Sequence, residues 1–156
     1  MFLVAVLLGV SGAADAAGDG PLDRATLRGL KGFSVVIDQL DPQLARDGLT
    51  REGLQRQIEA RLQSAGVPVN KDAVEFLGLR ILAVRDRKGP YSVSLAMGLY
   101  QPVILTRDRN IKTATETWAV ETVIAVQPRL LSRASAGAVE QLADRFVAAF
   151  RSANPQ

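Results

Sequence analysis

Chemistry in this sequence must be built without imidazole or thiol, because none of the 156 residues is His and none is Cys. That removes Ser-His-Asp and Cys-His nucleophile systems, and zinc sites of the usual Cys/His kind. Carboxylates, hydroxyls, Lys and Arg remain. Asp38 and Asp41 stand just before Pro42, a place where Asp commonly serves turn geometry. Glu116 and Glu121 are five residues apart in a segment that reads as a strand, so alternation sends them to opposite faces. A hydrolase working with two facing carboxylates is therefore unsupported. No Ser-x-x-Lys, no Gly-x-Ser-x-Gly and no acidic loop of calcium-binding spacing occurs. Gly29 and Gly32 precede a strand, whereas a phosphate-cradling loop follows one, so they read as backbone punctuation. The expectation is a protein that is not an enzyme, with no catalytic, cofactor or metal-binding residues. The alternative is a hydrolase or transferase using carboxylate and Arg side chains.

Charge points the same way. Nineteen Lys and Arg against sixteen Asp and Glu give +3 and a pI near 9.7. The excess is interspersed: Asp86 sits among Arg85, Arg87 and Lys88, and Asp108 lies between Arg107 and Arg109. A nucleic-acid binder concentrates its cations on one face or stripe, so nucleic acid is not an expected partner. Arg87 and Lys88 lie in one predicted turn, and Arg107, Arg109 and Lys112 in another. A strand of about 14 residues separates the two by roughly 45 Å, so they form no single patch. The second group alone suits an anionic lipid headgroup or polymer; solubility of an exposed turn is the competing explanation.

The elements that would position these groups follow from periodicity. An apolar, β-branched run over 33–37 reads as the first strand. A helix then begins at the N-cap Thr50, is stapled by Leu49 and Leu54, and ends at Gly66. It carries one apolar stripe, Leu54, Ile58, Leu62 and Ala65. Three strands follow, over Phe76–Arg85, Tyr91–Leu105 and 113–126. If Arg85 faces Tyr91, then Leu77, Leu79, Ile81 and Ala83 face Leu99, Met97, Leu95 and Val93. If Thr106 faces Thr113, the same four meet Val120, Thr122, Ile124 and Val126. Both hairpins thus deliver one apolar face. Pro102 falls beyond the overlap with the first of these strands, where its missing N–H is harmless. A last helix runs from 132 or 135 to 152 with a stripe of Val139, Leu142, Ala143, Phe146, Val147 and Phe150. The fold class is α+β: two helices packed on one face of a four-stranded, mainly antiparallel sheet, in the order β-α-β-β-β-α, as a single domain over 27–156.

The other face of this sheet is unusual. Its central strand presents Ser92, Ser94, Ala96, Gly98 and Tyr100, flanked by Leu82, Val84 and Val123, with Arg80 and Glu121 as its charges in the paired region. A solvated face normally carries longer charged side chains. Small residues let another sheet, chain or acyl group approach closely, so these positions, with Trp118 at the open end, are the candidate partner-binding face. A plain exposed face, or one covered by the N-terminal segment, is the competing reading.

Residues 2–10 form an apolar run of signal-peptide length, and Ala14-Asp15-Ala16 fits the small-x-small cleavage rule. No Lys or Arg precedes the run. The expectation is a signal peptide over 1–16 and a flexible tether over 17–26. The product would be periplasmic or secreted and not membrane-spanning after cleavage. Loss of Asp15 raises the net charge from +3 to +4, and the absence of Cys removes any lipid anchor at the cleavage point.

Several stretches carry a resemblance. They are Leu27-Arg28-Gly29-Leu30-Lys31-Gly32, Asp47-Gly48-Leu49-Thr50, Ala65-Gly66-Val67, Tyr100-Gln101-Pro102-Val103, Thr115-Glu116-Thr117-Trp118 and Ala153-Asn154-Pro155. Together they resemble a group of small exported bacterial proteins of uncharacterised function. The element order looks like the lipopolysaccharide-assembly lipoprotein fold, from which this chain departs in lacking the lipid-anchor Cys. The resemblance brings no active-site residues. It implies a periplasmic binding or envelope-assembly accessory module whose partner is a protein, an envelope component or a second copy of the chain.

Overall fold

A computed structural model describes residues 18–85 and 87–155. The signal peptide expected over 1–16 and the first residue of the expected tether lie outside the described residues, as does Asp86 in the predicted β-turn. Four strands, β1 (Ser34–Ile37), β2 (Phe76–Arg85), β3 (Tyr91–Leu105) and β4 (Asp108–Val126), form one sheet in sequence order. β1 runs parallel to β2, and the other pairs are antiparallel. The helices are α1 (Pro21–Ala25), α2 (Pro42–Arg46), α3 (Arg51–Ser64) and α4 (Leu131–Ala153). The long elements follow the expected α+β order β-α-β-β-β-α, with α1 and α2 as single-turn additions. β1 is parallel to β2 because the chain between them crosses over through α3.

Local sequence accounts for the boundaries of α3. Thr50 Oγ1 accepts from the Gly53 N–H at 3.2 Å. At the other end Gly66 takes φ +74°, and the Val67 N–H returns to the Leu62 carbonyl at 3.0 Å. This is the left-handed stop that glycine tolerates without a Cβ clash.

The β2–β3 register is the one expected, from Arg85 opposite Tyr91 to Phe76 opposite Tyr100. The β3–β4 register differs by two residues: Leu99 faces Trp118 where Val120 was expected, and Leu95 faces Thr122 where Ile124 was expected. The chain reverses at Thr106-Arg107, and β4 already begins at Asp108. Irregularities in the pairing at Leu99/Tyr100 and Ile104/Leu105 absorb the remaining residues. Because the slip is even, the apolar face survives it. Leu95, Met97 and Leu99 are fully buried, together with Leu77, Leu79 and Val120. They share one core with Leu54, Ile58 and Leu62 of α3 and with Val139, Leu142 and Phe146 of α4.

The segment expected to be a flexible tether is instead built into the fold from Gly18 onward. The Ala119 N–H donates to the Gly18 carbonyl at 2.9 Å. Gly18 has φ +98°, and a Cβ there would come within 2.9 Å of the Ala119 carbonyl oxygen. Asp19 is only 8% exposed. Its Oδ1 accepts from the Trp118 indole N–H at 2.7 Å, and the Arg24 guanidinium holds both carboxylate oxygens, at 2.9 and 3.0 Å. Arg145 of α4 approaches Oδ2 at 3.8 Å. Small and polar residues here read as solvent-loving because their partners lie about a hundred residues away in sequence (99 for Trp118).

Candidate functional site

Strand pairing arranges the outer face in rows across β2, β3 and β4. Val84, Ser92 and Ala125 form one row, and Leu82, Ser94 and Val123 the next. Arg80, Ala96 and Glu121 follow, then Gly78, Gly98 and Ala119. Leu82, Val84 and Val123 are 60%, 72% and 69% exposed, large values for aliphatic side chains on a rigid sheet. Ser92 is exposed, and Ser94 and Ala96 are half-buried.

Gly98 and Tyr100 do not extend this surface as an open platform. The Tyr100 ring stacks on Phe76 with centroids 4.8 Å apart and planes 7° from parallel, and both rings lie over Gly78. The Glu116 side chain covers Gly98. Each glycine is therefore the floor beneath a larger side chain from a neighbouring strand, the sheet's usual answer to a residue that cannot pack for itself. Glu116 reaches this face because of the irregularity after Leu99. Tyr100 pairs with Glu116, so Thr117 is the extra residue, and the parity between Glu116 and Glu121 is lost. Both glutamates consequently occupy outward rows, against the expectation of opposite faces. A bulge has no residue signature here, and strict alternation could not find Glu116.

The result is a depression of about 250 Å³ lined by Asp38, Gly78, Arg80, Ala96, Tyr100 and Glu116. Burial pushes the Tyr100 phenol above its usual range, and the hydrogen bond to Glu116 and the negative charge of that carboxylate push it the same way, while Arg80 opposes them. Replacing Glu116 with Gln is expected to bring the phenol pKa down toward its ordinary value without reaching it, since burial remains. Ultraviolet titration in a Tyr91→Phe background reads Tyr100 alone; an unchanged curve would show that Glu116 does not sit there.

Trp118 does not belong to the outer face. It shares the core side with Val120, and the two-residue register difference sets it opposite Leu99, where it is 1% exposed and meets Phe146 edge-on at 5.0 Å. Asp41 takes the turn role expected of it, its Oδ1 accepting from the Gln43 N–H at 2.7 Å to cap α2. At the β2–β3 turn, the Arg85 Nε donates to the Gly89 carbonyl at 2.9 Å, with the guanidinium 5.1 Å from the Tyr91 ring centre. Among the described residues no group of three or more acidic side chains is placed to hold a metal ion. No helix among them is long and apolar enough to cross a membrane.

Where β1 ends at Ile37, β2 continues with an open edge. A groove of about 560 Å³ runs there between Leu40 and Pro42 on one side and Leu82 and Val84 on the other. Alternation along the strand aims the backbone groups of Ile81 and Ala83 at this vacancy.

No protein-family model and no curated protein matches the chain. Among solved structures, a PelC dodecamer from Paraburkholderia phytofirmans superposes with a TM-score of 0.42 at 12% identity, covering 74% of this chain and 86% of that one. A minor lipoprotein from Acinetobacter baumannii gives 0.35 at 13% identity, covering 78% and 93%. Identity this low and superposition this loose transfer no partner or activity to the present chain.

Proposed function

We propose that this chain is a non-enzymatic binding or envelope-assembly accessory module of the periplasm that acts through the outer face of its sheet. The observation that carries the reading is the cluster of Leu82, Val84 and Val123 around Ser92 and Ser94, three large aliphatics left in water on adjacent rows of one sheet face. An apolar group of this kind on a flat, hydrogen-bonded support is characteristic of a contact surface. The open edge of β2 beside it favours a protein partner over a small molecule. An extended segment laid along Ile81 and Ala83 would satisfy the free backbone groups and cover Leu82 and Val84 together.

A photo-crosslinking amino acid placed at Ser94 and used in intact cells tests this. One dominant adduct is expected at that position and none at Gln63, which is exposed on α3. Leu82→Ser combined with Val123→Ser should abolish the adduct while the emission of the single Trp stays that of a buried indole. A folded, exported protein that yields no adduct from position 94 would overturn the proposal.

A further inference from the structure

The β3–β4 hairpin outruns the rest of the sheet. β2 begins at Phe76, opposite Tyr100, so from Gln101 onward β3 is paired with β4 alone. Residues 101–105 carry this ribbon about 17 Å beyond the last row shared with β2. Every residue from Thr106 to Glu116 is exposed. A two-stranded ribbon standing alone in water is marginal, so an arm of this length calls for a surface to lie on.

Its composition identifies the surface. Arg107, Arg109 and Lys112 crowd the tip against a single Asp108, and among the described residues none of these cations forms an ion pair. Beside them Ile104 and Ile111 are 55% and 41% exposed. Ile104 is paired directly with Lys112, so an aliphatic group and an ammonium share one side of the ribbon. A soluble polyanion would use the cations and leave Ile104 in water. A bilayer surface uses both kinds of group, since the aliphatic side chain enters the boundary below the headgroups while Lys and Arg keep their heads at the phosphates.

We propose that this arm docks the protein on an anionic lipid surface by the side that carries Ile104 and Lys112, with Ile104 inserted and Arg107, Arg109 and Lys112 on the lipid phosphates. The sheet face of Leu82 and Val123 is a separate surface and stays free for its partner.

The absence of Cys allows a clean experiment. Ile104→Cys in the processed chain is labelled with an environment-sensitive fluorophore, with Gln63→Cys as comparator, and mixed with phosphatidylcholine vesicles with and without phosphatidylglycerol. The label at position 104 should brighten and shift to the blue with the anionic vesicles alone, and the label at 63 should not respond. Arg107→Ser, Arg109→Ser and Lys112→Ser together should weaken vesicle binding roughly a hundredfold, equivalent to about 1 kcal/mol for each cation. Unchanged emission of Trp118 verifies the fold. A silent label at 104, an equal response to neutral vesicles, an equal response at 63, or undiminished binding by the triple variant would each overturn the proposal.

Discussion

Replacing Phe146 with Ala is expected to lower the free energy of unfolding by about 3–5 kcal/mol, a large part of the stability of a domain this size. The ring is fully buried and stands edge-on to Phe33 at 5.2 Å and to Trp118 at 5.0 Å, with Phe150 at 6.4 Å. Truncation removes the shared neighbour of rings from the segment before β1, from β4 and from α4 itself, and none of the three can collapse into the gap without moving its element. Phe146→Leu should cost much less, about 1–2 kcal/mol, because it keeps most of the apolar volume. Urea unfolding followed by the emission of Trp118 measures both. A loss below about 1 kcal/mol in the Ala variant would mean that the aromatic cluster does not tie the helix to the sheet.

Asp19→Ala is expected to cost about 2–3 kcal/mol. Most of this comes from the Trp118 indole N–H, which keeps its burial and loses its acceptor at 2.7 Å. The pair with Arg24 adds little by itself, since the Arg24 side chain is 40% exposed and screened by water. The pH dependence has a definite sign. Burial raises the Asp19 pKa, but the hydrogen bonds from Arg24 and Trp118 and the charges of Arg24 and Arg145 outweigh it and hold the carboxyl below its usual range. A depressed folded-state pKa means that the contribution is complete above the unfolded value and lost as pH falls through the folded one. The stability difference between the protein and Asp19→Ala should therefore be constant at neutral and mildly acidic pH and shrink below about pH 4. Urea midpoints at several pH values check this, and a gap that widened in acid would contradict the arrangement.

The parts of the outer face that were legible beforehand share one property. Leu82, Val84, Ser92, Ser94 and Val123 could be placed by counting in twos from a turn, and an even register slip leaves such counting intact. Glu116 could not be placed that way, and for Trp118 the counting gave the side but not the depth. Trp118 moved from the open end to a buried place opposite Leu99 because the turn is tighter than its polar residues indicated, and Glu116 moved to the outer face because one residue, Thr117, is unpaired beside Tyr100. Gly98 looks like open floor in the sequence, yet it and Gly78 are overlaid by side chains from adjoining strands.

By itself the sequence determined the two long helices and the four strands, the face they bury short of the bulge in β4, the β2–β3 register, and the exclusion of imidazole and thiol chemistry. Those properties depend on residue type and on spacing within about ten residues, where hydrophobic periodicity and capping act. Only the tertiary structure decided that Asp19 anchors the N-terminal segment to Trp118, that β4 bulges at Thr117, and that the hairpin beyond Tyr100 stands clear of the sheet. Each of these turns on which distant residues meet and on how many residues a turn or bulge consumes, and neither leaves a periodic trace along the chain.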